Sequence, residues 1–388
     1  MEKYGQYRDK GSGIAPFFPI SPEPSNPLLL PWYFFLFCVR VPLVSFGWIV
    51  WLAIIQWTPP GGALRKANLW CVLGIPGVWW IDIQVDGVRR GALSATRAKG
   101  RLPAVGTIIA SSHTSPLDIL YLGAIFDPIF TASTPDSRLV QPLSLEAALA
   151  SVFSVPAPAI FHARQAPMTL AQLASQNPDR TIVVFPETTT SNGRAILPLA
   201  PSLLSAQPTT KIYPVSLRYT PADIVTPIPG WTEVARFVWR LNSRPTHCIR
   251  VRVGGALTLS SPPPTTEMLN TPPAGATRSA AKSTGSSAIS TPSSAARRST
   301  GGAGYETNFF DTLQAQKVAG DTDTDGDVST DASGERDSDA ELSEPERRVL
   351  DAVAEALARL GRVKRVGLGA KEKDSFVKAW WGRSKARK

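Results

Sequence analysis

Sulfur and imidazole are scarce in this chain of 388 residues, which holds three cysteines, three methionines and three histidines. Cys38, Cys71 and Cys248 give no disulfide framework, and the first two sit in apolar stretches. The functional side of the chain is therefore expected to face the reducing cytosol. No Cys/His cluster has metal-ligand spacing, and neither a metal nor a cofactor is assigned. A Gly-x-Ser-x-Gly elbow is missing, which disfavours a serine hydrolase. The N-terminus has no basic segment running directly into an apolar core with a small-residue cleavage site. Residues 1–27, polar and rich in Gly and Pro, read as a loose tail rather than a cleaved signal. The net charge is +10, but no nucleic-acid recognition motif accompanies it, so nucleic acid is not an expected partner.

What the chain does contain begins with an apolar run. From Leu28 to Trp57, thirty residues carry one charge, Arg40, with Trp32, Tyr33 and Trp57 near the ends. About 20 apolar residues cross a bilayer, and aromatic side chains suit its interfaces. A charge at the centre costs on the order of 2.5 to 3.5 kcal/mol by insertion scales. Arg40 and Pro42 leave two arrangements open: a kinked transmembrane span from about Val41 onwards, or two half-length helices that dip in and return. Leu69 to Ile81, with Trp70, Trp79 and Trp80, is too short to span and is expected at the interface or against the folded domain. Residues 28–80 thus form a membrane anchor and interfacial segment.

Residues 81–259 alternate strand and helix patterns. Strands are expected at Ile81 to Gly87, Val105 to Ala110, Thr181 to Phe185, Ile212 to Tyr219 and Cys248 to Gly254. Helices are expected at Ile119 to Phe126, at Ser137 to Phe153 despite Pro142, and at Met168 to Ala174. The fold class is α/β, a largely parallel sheet covered by helices.

Within this domain, Ser112-His113-Thr114-Ser115-Pro116-Leu117-Asp118 stands where a strand hands over to a helix. Deprotonating an alcohol as it attacks a carbonyl needs a base near neutrality, and imidazole is the usual choice. A carboxylate receiving one ring N–H would fix the tautomer and stabilise the imidazolium, and Asp118 is placed for that role. The same letters also describe a helix start: Ser115 as N-cap, Pro116 at the first position, Asp118 as the acid of the first turn. Taken alone, the heptad supports both readings.

A second stretch, Thr181 to Arg194, is a buried-type strand ending in Phe185-Pro186-Glu187, followed by a hydroxyl cluster, Asn192, Gly193 and Arg194. An acid, hydroxyl donors and a guanidinium gathered at a strand end suit a phosphorylated polyol. Together the two stretches resemble motifs of the glycerolipid acyltransferase family, which includes the lysophosphatidic acid acyltransferases. Its first motif is typically Asn-His-x-Ser-x-x-x-Asp and its third Phe-Pro-Glu-Gly-Thr-Arg-Ser. Ser112 stands where the family often has Asn, Thr188 where it has Gly, and Thr190 where it has Arg. Thr-Thr-Ser-Asn-Gly-Arg is closest in wording to the fungal lysophosphatidic acid:oleoyl-CoA acyltransferases. Ala159 to Arg164, with His162, resembles the second motif, whose arginine is thought to hold the acceptor phosphate. Ile212 to Leu217 resembles the fourth, a strand bearing proline.

Beyond the domain, residues 260–342 are rich in Ser, Thr, Pro, Ala and Gly and then acidic, which marks a disordered linker. Asp321 to Glu346 holds eleven acids and one arginine. Asp321, Asp323, Asp325 and Gly326 imitate an EF-hand loop, but Ala332 stands at the twelfth position, where a Glu is needed. Residues 343–388 open with the capping box Ser343-Glu344-Pro345-Glu346 and close with a tail from Arg362 of ten basic and two acidic residues. Phe376, Val377, Trp380 and Trp381 fall together on a helix there, a pattern that suits anionic membrane lipid.

The resemblance implies a membrane-bound, acyl-CoA-dependent acyltransferase. It would acylate the free hydroxyl of a lysophospholipid, first of all converting lysophosphatidic acid to phosphatidic acid. His113 would be the base and Asp118 its orienter. Glu187, Arg194, Arg164, Ser115 and Thr189 would bind substrate. Endoplasmic reticulum and lipid droplets are the membranes implied. The alternatives are another acceptor, lysophosphatidylcholine or lysophosphatidylethanolamine, and a membrane-tethered lipid-binding scaffold without turnover.

Overall fold

Strand alternation organises the molecule. In the computed structural model, which describes residues 2–22, 26–88, 101–154, 166–260 and 342–386, seven strands form one sheet: β1 (Val78–Val85), β2 (Ile108–Ser111), β3 (Ile129–Ser133), β4 (Val140–Leu143), β5 (Ile182–Val184), β7 (Ile212–Thr220) and β8 (His247–Val253). Their spatial order is β1-β8-β7-β2-β5-β3-β4. The pairs β1/β8, β7/β2, β2/β5 and β5/β3 run parallel, while β7/β8 and β3/β4 run antiparallel. A two-stranded sheet pairs β6 (Ala195–Ile196) with β9 (Lys364–Arg365).

Because neighbouring side chains on a strand point to opposite faces, each strand feeds two cores. Ile109, Val183, Val215, Leu217, Ile249 and Val251 belong to one. Ile108, Ala110, Ile182 and Val184 belong to the other. The first core is covered by α1 (Leu30–Ala53), α2 (Ala63–Gly74), α3 (Pro116–Phe126), α4 (Leu145–Val152) and α6 (Trp231–Ser243). The second is covered by α5 (Leu170–Gln176) and α7 (Glu344–Gly361).

Ser137 to Phe153 differs from the single helix expected. Val140–Leu143 is the edge strand β4, and Ser144 then caps α4, its Oγ accepting from the Ala147 amide. Pro142 explains the break, since proline disrupts a helix interior but is tolerated on an edge strand.

The apolar run forms one continuous helix, α1, with Pro42 inside it. Pro27–Trp57 is long and apolar enough to cross a membrane, which makes α1 a candidate anchor. Arg40 is not left in an apolar medium. Its guanidinium donates to the carbonyls of Pro76 (3.1 Å), Asn242 (3.3 Å) and Pro245 (3.0 Å), and to that of Arg244. Trp51 is buried, and the Asn68 side chain donates to the Gly47 carbonyl. The helix is therefore docked on the folded domain from its middle to its end, while Phe34, Phe35, Leu43, Phe46 and Ile49 face outwards.

The two chain ends meet. Tyr4, Tyr7 and Phe17 pack with Phe376 and Val377 of α8 (Ala370–Ala386) in a third core. Where a loose N-terminal tail and a membrane-facing apolar stripe were expected, each covers the other. The linker and its EF-hand-like acids lie outside the described residues, residue 260 and residues from 342 onwards excepted.

Candidate active site

The heptad continues β2 and turns into α3. The Ser112 amide donates to Val215 O (3.2 Å) and the Leu217 amide to Ser112 Oγ (3.4 Å), so the chain stays zipped to β7 up to His113. Ser115 then caps α3 in a capping box, with Pro116 in the first turn. Asp118 Oδ2 accepts from the amides of Thr114 (2.7 Å) and Ser115 (2.9 Å) and from Thr114 Oγ1 (3.2 Å), and Oδ1 accepts from the Tyr219 hydroxyl. Among the described residues, none of its hydrogen bonds runs to the His113 ring. The expected direct orienter is thus a cap, because an acid at the third helical position lies closest to the unpaired amides of its own helix start. The two amides that Asp118 holds belong to the residues that follow His113 directly. Burial pushes its carboxyl up to about 6, against the pull of Tyr219, Thr114 and Ser115. Ser115, expected to bind substrate, donates its hydroxyl to Ile224 O (3.2 Å) and is buried.

His113 is held from three sides. Its amide donates to Glu187 Oε1 (3.3 Å), its carbonyl accepts from the Ser191 amide (2.9 Å), and its ring stacks on Phe185 with centroids 4.3 Å apart. Among the described residues Nε2 is buried without a hydrogen-bond partner, as is Oγ1 of Thr226, whose amide donates to Thr114 O (2.9 Å). Buried polar atoms are nearly always paired, so these two beside the motif are free to take a water or a reacting group. Burial first, and the Lys373 ammonium second, hold the imidazole down at about 3, so it is neutral and able to accept a proton.

Glu187 joins the two motifs. Its Oε2 accepts from the Leu197 amide (3.2 Å), and it is 1 % exposed. Burial pushes its carboxyl up to about 8, against the pull of the Leu197 and His113 amides; Asp118 pushes the same way and Lys373 pulls back. Thr189 is buried, its amide donating to Glu187 O (2.7 Å). Thr188 takes φ 57°, the left-handed conformation that the glycine of the resembled motif would adopt freely. Arg194 is exposed, and its side chain lines neither cavity described below. Arg164 and His162 lie outside the described residues.

Lys373 is the residue that sequence reasoning missed. It comes from α8, is 1 % exposed, and donates from Nζ to Thr190 O (2.7 Å) and Thr190 Oγ1 (2.6 Å). Its cation thus reaches the position where the resembled motif carries arginine. Burial lowers its ammonium to about 7, and Glu187 pulls it back up. A signal was present: Lys373 precedes Phe376, Val377 and Trp380 by three, four and seven residues, which places it on the apolar stripe of its helix. Tyr219 had no such signal.

Two cavities flank the heptad. On the first-core side an apolar cavity of about 310 Å³ is walled by α1 (Val44, Trp48), α3 (Leu117, Leu120), α4 (Leu149) and α6 (Phe237), among others. On the other side a polar cleft of about 10 Å³ lies among Ser112, Thr114, Glu187, Ser216, Arg218 and Gly361.

Residues 96–218 match the family model described as Acyltransferase. The chain is 27% identical over 244 residues to a Schizosaccharomyces pombe protein provisionally named lysophosphatidic acid:oleoyl-CoA acyltransferase, covering 61% of this chain and 80% of that one. It is 24% identical over 200 residues to Lysophosphatidic acid:oleoyl-CoA acyltransferase 1 of Saccharomyces cerevisiae, covering 52% of this chain and 61% of that one. Both motifs meet at His113 inside the matched region, so residues 96–218 carry the likeness to the acyltransferase family.

Proposed function

We propose that this protein transfers a fatty acyl group from acyl-CoA to the free hydroxyl of a lysophospholipid, with lysophosphatidic acid as the first acceptor. The observation that carries the reading is the neutral, buried Nε2 of His113, which has no hydrogen-bond partner among the described residues and sits where the two motifs meet. Nε2 takes the hydroxyl proton as the oxygen bonds to the thioester carbon. Collapse of the tetrahedral intermediate breaks the C–S bond, and the proton passes to the departing thiolate. So depressed an imidazole is a weak base on its own; it gains strength when the negative oxyanion forms beside the imidazolium. Glu187, Ser191 and Phe185 fix the ring's place, and Asp118 fixes the backbone that bears it.

The apolar cavity suits the acyl chain. It opens against α1, whose outer face supplies an apolar surface for the membrane, and we read the helix as lying in the near leaflet with the domain on the cytosolic side. Endoplasmic reticulum and lipid droplets are membranes this arrangement fits. The polar cleft is smaller than a glycerol phosphate, so turnover requires its wall at Gly361 and Val363 to yield. A second reading, acceptors with a zwitterionic head group, is favoured by the exposure of Arg194 away from both cavities.

Release of free CoA by membranes containing the protein, given oleoyl-CoA and either lysophosphatidic acid or lysophosphatidylcholine, tests both readings. Turnover with one acceptor that vanishes in His113→Ala supports the enzyme and names its head group. No turnover above that variant with any acceptor overturns it in favour of a lipid-binding scaffold.

A further inference from the structure

Beside the polar cleft the sheet carries a block of positive charge. Arg218 on β7 lies directly opposite Arg250 on β8, and Arg252 lies opposite Ser216. Alternation along the strands puts these arginines on the face opposite Leu217 and Val251. Arg362 follows α7 directly, and α7 is tied to the same face by Arg252 Nη1 donating to Leu360 O (2.8 Å). The four groups repel one another. Burial, Arg250 and Arg362 hold the Arg218 guanidinium below its ordinary value, and burial, Arg362, Arg218 and Arg250 do the same to Arg252. Among the described residues none of the four has a carboxylate at ion-pair distance. Asp82, the register partner of Arg250 on β1, is the acid that offsets them, acting on Arg252. Like charges directly opposite on a sheet are unfavourable; a bound anion reverses the sign of that interaction.

The geometry points to a phosphate-binding site, formed by Arg218, Arg250, Arg252 and Arg362, that holds the phosphorylated nucleotide end of acyl-CoA. This rests on the acyltransferase reading above. Three observations favour the donor over the acceptor as the source of the phosphate. The arginines lie on the sheet face opposite α1 and the apolar cavity, where a water-soluble group arrives. Four guanidinium groups match a pyrophosphate plus a 3′-phosphate better than the single phosphate of a lysophospholipid. Trp80, 68 % exposed, shares the face of Asp82 at the sheet edge and offers a stacking surface for a purine. Arg218 also lines the cleft with Thr114 and Glu187, which connects this face to His113.

Isothermal titration of the full-length protein in detergent with CoA, 3′-dephospho-CoA and glycerol 3-phosphate separates the sources. CoA is expected to bind, with dephospho-CoA about tenfold weaker. The double variant Arg250→Ala with Arg362→Ala should weaken CoA by about tenfold or more and leave glycerol 3-phosphate unchanged. Both residues are exposed and removal relieves repulsion, so the thermal midpoint should not fall; Arg250→Gln and Arg362→Gln singly serve if the double variant does not fold. CoA affinity indifferent to these variants overturns the site, whether or not they lose attachment to phosphatidylserine vesicles. Loss of glycerol 3-phosphate binding with CoA unchanged reassigns the arginines to the acceptor and overturns it too. Binding is read without turnover. A silent protein with arginine-dependent CoA binding therefore sinks the enzyme and keeps the site, and an active one whose CoA affinity ignores the arginines does the reverse.

Discussion

The apolar cavity beside the heptad takes part of its wall from Pro116, Leu117 and Leu120, all within ten residues of the histidine, and most of the rest from apolar side chains of α1, α2, α4 and α6. The polar cleft draws on Ser112 and Thr114 beside the histidine and on Glu187, Arg218 and Gly361 from segments far apart in the chain, and Lys373, farther still, reaches Thr190 in the same loop as Glu187. One side is made by hydrophobic pattern, the other by long-range assembly of charge. The difference has a physical root: burial of apolar surface tolerates many side chains, whereas a cation can be delivered from any element that reaches the spot.

Removing the residue at the junction should have the largest effect. His113→Ala is expected to lower turnover by about 10²- to 10⁴-fold, the range of general-base catalysis, in a CoA-release assay. The fold should survive, because the lost imidazole leaves no partner unpaired at Nε2. The same residue sets a pH signature. Its folded value, about 3, lies below the unfolded value of 6.5, so its contribution to stability is fully present above pH 6.5 and is lost as pH falls towards 3. The slope is at most about 1.4 kcal/mol per pH unit. Denaturant midpoints from pH 7 to pH 4 should therefore fall less steeply in His113→Phe than in the parent.

Next in size is the polar side's distant cation. Lys373→Met deprives Thr190 O and Oγ1 of their donor and Glu187 of a nearby positive charge. Hydrogen bonds to a charged group are worth about 1.5–3 kcal/mol, so kcat is expected to fall about 10- to 100-fold if that energy is felt at the transition state. A kcat equal to the parent's, in a variant that folds, would make Lys373 a fastener for α8 and nothing more.

How much of this was legible follows the same division. The strand expected at Ile212 to Tyr219 is β7, and its Val215 and Leu217 lie in the first core. The two motifs located His113 and Glu187. Asp118 was legible only as a choice, since cap and orienter use the same letters; the first helical turn shows it making the cap's hydrogen bonds. Lys373 and Thr190 are 183 residues apart, and no local pattern links them. The burial of Phe376 and Val377 against Tyr4 and Phe17 was equally hidden, because an apolar stripe is the same whether it meets a membrane or the other end of its own chain.

The apolar side is tested by filling it. Leu149→Trp places a larger side chain in the cavity against Phe153 and Val238, and should shift preference from oleoyl-CoA to a decanoyl donor by about tenfold, since each methylene in an apolar pocket is worth about 1–3 kcal/mol. An unchanged chain-length profile would place the acyl group elsewhere.

The smallest effect concerns a position where the polar side departs from the wording of the resembled motif. Thr188 holds φ 57°, a conformation that costs an L-residue roughly 1–2 kcal/mol and glycine nothing. Its amide still donates to Phe185 O (3.1 Å), the bond that closes the turn. Thr188→Gly keeps that bond and removes the strain, but adds the greater chain entropy of glycine to the unfolded state, about 0.5–1 kcal/mol. The two oppose, and strain wins by at most about 1.5 kcal/mol, so the thermal midpoint should rise by a few degrees or less, with kcat within about twofold of the parent. A clear fall in stability would mean that the threonine is held by packing worth more than its strain. The departure would then be part of how this loop receives the cation of Lys373, because Thr188 and Thr190 would be coupled substitutions rather than two separate ones. Combining Thr188→Gly with Lys373→Met decides between these, since independent sites add and coupled ones do not.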